Sequence, residues 1–158
     1  MPQNTVTAFL SLGSNLGERE AFLRRAAKLL SEKAGPILRS SSLFETAPVG
    51  FCSPNAFLNQ AVAIETSLAP HELLVLTQEI EQLLGRTVKS VDGRYADRTI
   101  DIDLILYGDA IIDEPGLNVP HPRFRDRLFV LQPLAEIAGE TIDPVTGKTI
   151  SELLWAVS

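Results

Sequence analysis

The feature that most constrains the fold is the segment at residues 98–108, RTIDIDLILYG, in which polar and aliphatic side chains alternate. A period of two is typical of a β-strand with one face in a hydrophobic core. Asp101 and Asp103 would leave the opposite face, with Cα atoms about 6.6 Å apart. Two carboxylates this close repel each other unless a cation lies between them, so the pair is a candidate metal site. The core face is predicted to consist of Ile100, Ile102, Leu104 and Leu106.

The remaining segments predict an α+β fold in one domain. Gly13, together with Asn15 and Gly17, supplies turn residues after the first strand, and Gly35 with Pro36 is a stop signal after the first helix. The order β-α-β, β-α-β, with a hairpin-length gap between its halves, favours helices packed on a largely antiparallel sheet. Strands are predicted over residues 5–12, 37–45 and 57–66, and helices over 18–34, 70–85, 128–138 and 151–157.

Composition excludes several classes of protein. The chain has 158 residues, of which 45% are hydrophobic and 22% charged, as in a globular domain with a substantial core. No apolar segment approaches the ~20 residues that span a bilayer, and the N-terminal segment MPQNTVTAFLSL lacks the basic region of an export signal. The single cysteine, Cys52, is compatible with a reducing compartment. We therefore expect a cytoplasmic protein that binds neither membranes nor, with a net charge of −6, nucleic acid.

Basic residues are concentrated around the aspartate pair. Seven of the 14 lysines and arginines lie within residues 86–127. Guanidinium groups bind phosphate oxygens in pairs, so this clustering favours a small phosphorylated anion accompanied by a metal. The alternative for any single arginine is a surface salt bridge.

The candidate chemistry is that of a magnesium–nucleotide complex. An Asp-x-Asp pair alone is a weak signal, but Mg²⁺ prefers one or two carboxylates together with substrate phosphates. The sequence contains neither a Cys/His ligand cluster for zinc nor a P-loop. His121 stands between two prolines, which favours a fixed imidazole, whereas His71 at a helix start has no implied role. Phe57 and Asn59 share a strand face that suits a flat heterocycle, although an aromatic core position is the alternative.

Seven segments in order resemble the 6-hydroxymethyl-7,8-dihydropterin pyrophosphokinases of folate biosynthesis. They extend from Phe9 to Gly139, and seven segments in register are far more specific than any one alone. The segments are LSLGSNLG, FETAPVG, FLNQAVAIET, TQEIEQLLGR, RTIDIDLILYG, VPHPRF and FVLQPLAEIAG.

The resemblance implies a ferredoxin-like fold and transfer of a pyrophosphoryl group from ATP to the pterin hydroxymethyl oxygen, with release of AMP. It also implies two Mg²⁺ ions, with Asp101 and Asp103 as their ligands, and a single pyrophosphokinase domain over residues 1–158. The partners would be ATP and the pterin, and the chain is expected to be a monomer.

Position by position, the resemblance assigns three groups of side chains. Arg86, Arg98, Asp101 and Asp103 would be catalytic. The pterin site would consist of Thr46, Pro48, Val49, Phe57, Asn59 and Phe129, and the nucleotide site of Gln78, Glu81, Arg86, Arg98, His121 and Arg127.

Two positions depart from the family pattern. Phe57 stands where the family often has tyrosine, and the acidic Asp97 precedes Arg98 where a small residue or proline is usual. Two other functions remain open. One is an inactive pterin- or nucleotide-binding module of the same fold. The other is a Mg²⁺-dependent nucleotidyltransferase that would release pyrophosphate instead of AMP.

Overall fold

A computed structural model of the chain describes residues 4–46, 56–85 and 99–158. The segment predicted over 57–66 is a strand with those same bounds, and the helix over 128–138 is likewise confirmed. The elements are β1 (Val6–Ser14), α1 (Arg19–Lys33), β2 (Ile37–Ser40), β3 (Phe44–Thr46), β4 (Phe57–Thr66), α2 (Pro70–Leu83), β5 (Asp101–Tyr107), β6 (Ile112–Glu114), β7 (Leu117–Val119), α3 (Leu128–Ala138) and α4 (Ile150–Val157).

The main sheet is antiparallel, as predicted. Its strand order is β2-β4-β1-β5, and the short β3 also pairs with β4. With one helix after β1 and one after β4, this is the ferredoxin-like α+β arrangement. The two long central strands, β1 and β4, pair along their whole length, from Val6 opposite Thr66 to Ser14 opposite Leu58.

Each face of the sheet is covered by its own hydrophobic cluster. Helices α1 and α2 cover one face with side chains that include Leu23, Leu30, Leu73 and Ile80. Helices α3 and α4 cover part of the other face with side chains that include Leu131, Leu134, Ile150 and Leu153. Since successive residues of a strand point to opposite faces, β1 contributes Leu10 and Leu12 to the first cluster and Phe9 to the second.

The strand predicted over 37–45 is interrupted. β2 ends at Ser40 and β3 begins at Phe44, because the buried Ser41 bonds to β4 with both its backbone and its side chain. Its N–H donates to Ala61 O at 2.8 Å, and its Oγ accepts from Ala61 N at 2.9 Å. The first helix ends at Lys33, next to the predicted end at residue 34. The predicted stop residue Gly35 lies so close to β4 that an added Cβ would be 1.9 Å from Glu65 O.

The regular alternation predicted for β5 is wrong in its second half. The pairing with β1 shifts between Phe9 and Leu10, because Leu10 lies opposite Leu104 and Phe9 lies opposite Leu106. Ile105 is therefore the extra residue of a β-bulge. Leu106 consequently joins the α3/α4 cluster instead of the predicted face, and Tyr107 packs against the other cluster.

Residues 109–122, where no strand was predicted, contain a hairpin. Strands β6 and β7 pair around the turn at Pro115 and Gly116, and Leu117 and Val119 join the α1/α2 cluster. Across the described ranges, the structure contains no helix with the length and apolar character needed to cross a membrane.

Candidate functional site

The candidate site lies on the α3/α4 face of the sheet, where one row of residues crosses three neighbouring strands. Gly13 of β1 pairs with Asn59 of β4 on one side and with Asp101 of β5 on the other. At about 4.8 Å per strand spacing, Asn59 and Asp101 are roughly 10 Å apart across a residue without a side chain. The row therefore forms a hollow between an amide and a carboxylate.

Gly13 itself was predicted as a turn residue, which is wrong, because β1 continues through it to Ser14. A Cβ at this position would lie 3.2 Å from Asn59 Oδ1 and 3.5 Å from Phe57 Cδ1. A glycine inside a strand often marks a site where another group approaches closely. That signal could have identified Gly13 as part of the site.

The side chain of Asn59 is buried and held in one orientation. Its Nδ2 donates to Thr46 Oγ1 at 2.7 Å and to Phe44 O at 3.3 Å. With both amide hydrogens used in this way, the carbonyl Oδ1 on the Gly13 side is an acceptor for a ligand. Thr46, predicted as a wall of the pterin site, thus orients Asn59. Phe57 lies on the same strand face, as predicted.

Asp101 and Asp103 occupy the same face of β5, as their spacing predicts. Both are partly buried, and Asp103 lies opposite Ser11, one row away from Gly13. Carboxylate oxygens are the donors that Mg²⁺ prefers, and one or two are enough when substrate phosphates complete the coordination. The pair therefore fits a magnesium ion brought by a nucleotide. Among residues 4–46, 56–85 and 99–158, no group of three or more His, Cys, Asp or Glu side chains could hold a metal.

His121 is fixed beside this strand through its backbone and its ring. Its N–H donates to Ile105 O at 2.9 Å, and its Nδ1 accepts from Arg123 N at 3.1 Å. Burial, assisted by the positive charges of Arg127 and Arg123 and opposed by Asp101, lowers the pKa of His121 to about 4. The imidazole is consequently neutral near pH 7, with its proton on Nε2, where it can be donated.

The start of α3 contributes a cation and an aromatic ring. Arg127 is the N-cap residue of α3, and its guanidinium lies 5.5 Å from the centre of the Phe129 ring. Phe129 packs against the edge of the α3/α4 cluster. Arg127, a predicted nucleotide contact, and Phe129, a predicted pterin contact, are therefore neighbours.

The two predicted residues of α2 differ in exposure. Gln78 is exposed, whereas Glu81 is buried, and its Oε2 accepts a hydrogen bond from Ile102 N at 2.9 Å. Glu81 thereby contacts β5 at the residue between the two aspartates. His71, to which no role was assigned, pairs instead with Glu114 of β6 at 2.5 Å.

Four predicted site residues lie outside the described ranges, namely Pro48, Val49, Arg86 and Arg98. Asp97, which departs from the family pattern, also lies outside them.

The chain matches the family model described as 7,8-dihydro-6-hydroxymethylpterin-pyrophosphokinase (HPPK) over residues 9–139. The chain belongs to the HPPK family. This match covers the same stretch as the seven segments recognised in the sequence, so the predicted family is confirmed.

HPPK relatives with curated names match most of the chain. The 2-amino-4-hydroxy-6-hydroxymethyldihydropteridine pyrophosphokinase of Bacillus subtilis is 50% identical over 134 residues, which are 84% of this chain and 78% of that protein. The protein of the same name from Porphyromonas gingivalis is 46% identical over 131 residues, covering 82% of this chain and 89% of that protein. An ATP-dependent pyrophosphokinase of folate biosynthesis is thereby confirmed, and an inactive module is not favoured.

Solved HPPK structures confirm the fold. A Plasmodium falciparum HPPK-DHPS triple mutant superposes with a TM-score of 0.79 at 19% sequence identity. The match covers 98% of this chain and 44% of that one, so the chain spans less than half of that fusion protein.

Proposed function

We propose that this chain transfers the pyrophosphoryl group of MgATP to the hydroxymethyl oxygen of 6-hydroxymethyl-7,8-dihydropterin and releases AMP. The observation that supports this most directly is the row Asn59–Gly13–Asp101, which separates a heterocycle-binding amide from a metal-binding carboxylate by about the width of two strand spacings. A pterin at Asn59 would direct its hydroxymethyl group towards a triphosphate at Asp101.

On the pterin side, Asn59 Oδ1 accepts from the heterocycle and Phe57 and Phe129 contact its faces. The aromatic rings provide apolar contact area, and the buried amide provides direction. Pro48 and Val49 are assigned to the wall of this site by the family resemblance.

On the nucleotide side, Asp101 and Asp103 would hold two Mg²⁺ ions, which offset the negative charge of the triphosphate and of the attacked β-phosphorus. His121 donates from Nε2 and Arg127 supplies positive charge to phosphate oxygens. The resemblance adds Gln78 and Glu81 to the nucleotide contacts, and Arg86 and Arg98 to the catalytic phosphate contacts. The hydroxymethyl oxygen forms a bond to the β-phosphorus and loses its proton to water, while the bond from that phosphorus to the bridging α-phosphate oxygen breaks and AMP leaves with that oxygen.

We further propose that the protein acts in the cytoplasm as a monomer, with residues 1–158 forming one catalytic domain that binds neither nucleic acid nor membranes. The acidic net charge of −6 supports the absence of a nucleic-acid partner.

Identification of the nucleotide product tests the reaction. The purified chain is incubated with ATP, Mg²⁺ and the pterin, and the nucleotides are separated by anion-exchange chromatography. AMP should appear only when the pterin and Mg²⁺ are both present. Formation of ADP, or of pyrophosphate with an adenylated product, would contradict pyrophosphoryl transfer.

Removing either metal-binding carboxylate should stop the reaction without unfolding the chain. For Asp101→Asn and for Asp103→Asn we expect kcat to fall at least about 100-fold, because the charge that neutralises the transition state is lost. The far-UV circular dichroism spectrum and Tm should match those of the parent protein. Asp109→Asn, in the exposed turn after β5, is the control and should keep the parent rate. Near-parent kcat in either site variant would refute the metal role.

A further inference from the structure

The last turn of α2 contains a buried carboxylate in an unfavourable place. Glu81 is only 8% exposed, and α2 ends at Leu83. Glutamate is almost never buried unless it is paired, and the C-terminal end of a helix disfavours negative charge. A carboxylate in this position is therefore stabilised by a specific partner.

The backbone of β5 provides such a partner. Glu81 Oε2 accepts from Ile102 N over 2.9 Å. Because β5 stands at the edge of the sheet, with β1 on its other side, an outward-facing N–H of this strand has no strand to pair with. The Glu81 carboxylate takes the place of the missing strand at this one peptide.

The peptide held in this way lies between the two aspartates. The N–H of Ile102 belongs to the Asp101–Ile102 peptide bond, and Asp103 follows directly. Fixing this peptide plane therefore fixes the direction in which both neighbouring side chains leave the strand. The side chain of Ile102 packs in the α1/α2 cluster, so α2 and its neighbours hold this residue through both its backbone and its side chain.

We propose that Glu81 is a positioning residue that holds the β5 backbone so that the Asp101 and Asp103 carboxylates converge on the magnesium of the nucleotide. The metal part of this inference rests on the proposed function, whereas the hydrogen bond to Ile102 does not. This role replaces the nucleotide contact that the family resemblance assigns to Glu81, because the carboxylate acts through the β5 backbone.

Amide hydrogen exchange of Ile102, measured by NMR on the protein without substrates, tests the contact. Glu81→Ala should accelerate this exchange by about tenfold or more, since a hydrogen bond to a charged acceptor is lost. Glu81→Gln keeps an acceptor oxygen of the same reach, so its exchange should stay within about threefold of the parent. If Glu81→Ala does not fold, Glu81→Asp is used, because its side chain is one methylene shorter. Unchanged protection of Ile102 in the shortened variant would overturn the proposal.

Steady-state kinetics separate positioning from direct contact. A misplaced aspartate pair should lower kcat between about 10- and 100-fold in Glu81→Ala and raise the Mg²⁺ concentration for half-maximal rate, with recovery in Glu81→Gln. An increase in KM for ATP alone, with kcat and the Mg²⁺ requirement unchanged, would show a nucleotide contact instead. Glu79→Ala, an exposed glutamate of the same helix, is the control and should leave all these values unchanged.

If the parent protein failed to make AMP, the proposed function would fail. The exchange of Ile102, and a titration of the free protein with Mg²⁺ alone followed by the amide signals of Asp101 and Asp103, would still decide whether Glu81 positions the strand.

Discussion

At the scale of single residues, the candidate site is defined by backbone groups that fix side chains. The ring of His121 accepts from the backbone of Arg123, and the amide of Asn59 donates to the backbone of Phe44. A hydrogen bond that fixes one polar atom of a side chain as donor or acceptor also determines whether its other polar atom can donate to or accept from a ligand. Preorganisation of this kind lowers the cost of ordering the site when substrate binds.

The depressed pKa of His121 makes the stability of the protein depend on pH. Between the ordinary value of 6.5 and about 4, the unfolded chain takes up a proton at His121 and the folded chain does not. The stability that is present above pH 6.5 should therefore be lost as the pH falls towards 4. Urea unfolding across this range should show a shallower decline for His121→Asn than for the parent. Identical slopes would mean that His121 does not resist protonation.

A single methyl group at Gly13 should impair the site. In Gly13→Ala the new Cβ would meet Asn59 Oδ1 at 3.2 Å, so the amide must move by a few tenths of an ångström. We expect the dissociation constant of the pterin, measured by calorimetry, to rise about 10-fold, corresponding to one weakened hydrogen bond. The KM for ATP should change little. Thr7→Ala, at the distant end of β1, is the control, and parent-like pterin binding by Gly13→Ala would contradict the assigned hollow.

At the scale of elements, the sequence predicted most strands and helices but neither the bulge in β5 nor the break between β2 and β3. The face to which each β5 side chain points could be predicted where aspartates alternate with isoleucine and leucine. It could not be predicted at Ile105, Leu106 and Tyr107, because all three are apolar or amphipathic and suit either face. The break at Ser41 depends on β4, which is distant in sequence. Bulges and breaks of this kind are decided by tertiary pairing.

A buried ion pair connects two elements that the sequence analysis did not relate. Arg125, in the short 3₁₀ turn before α3, donates to Asp143 through Nε at 2.6 Å and Nη2 at 3.0 Å. Asp143 is completely buried and also accepts from Val145 N and Thr146 Oγ1. The pair thus holds the segment between His121 and Arg127 against the turn that precedes α4.

Breaking this pair should be costly. Burial raises the pKa of Asp143, but the hydrogen bonds from Arg125, Thr146 and Val145 outweigh it and hold the pKa below its usual value. We expect Asp143→Ala to lower the free energy of unfolding by about 2 to 4 kcal/mol, because Arg125 loses its partner where little water can replace it. Asp126→Ala, an exposed aspartate in the same turn, is the control for urea unfolding. A loss no larger than that of the control would show that the pair adds nothing.

At the scale of the whole molecule, one sheet has a hydrophobic cluster on each face. The candidate site lies on the α3/α4 face, beside the part that these two helices cover. The sequence predicted that Asp101 and Asp103 share a face and that Phe57 and Asn59 share a face. It could not show that Gly13 lies between them, since strand order depends on contacts far apart in the chain. The seven segments that match the family assigned both pairs to one site, which the local sequence patterns could not do.

Because both clusters share the sheet, a cavity in either should destabilise the whole domain. Leu23→Ala and Leu131→Ala, one in each cluster, should each lower the free energy of unfolding by about 2 to 5 kcal/mol. Urea unfolding followed by circular dichroism should keep a single transition in both variants. Leu83→Ala, 65% exposed at the end of α2, should cost less than about 0.5 kcal/mol. A second transition in either core variant would contradict a single cooperative domain.

In the proposed site, the fixed amide of Asn59 would also discriminate between heterocycles of similar shape. Because its hydrogens are held by Thr46 and Phe44, the side chain cannot rotate to offer a donor without breaking both bonds. A ring that presents a donor to Oδ1 would bind, whereas an isostere that presents a lone pair there would place two acceptors opposite each other in a buried site. If Asn59 binds the pterin as proposed, selectivity among pterin analogues and inhibitors would depend on residues 44 and 46, which fix the amide, as well as on Asn59 itself.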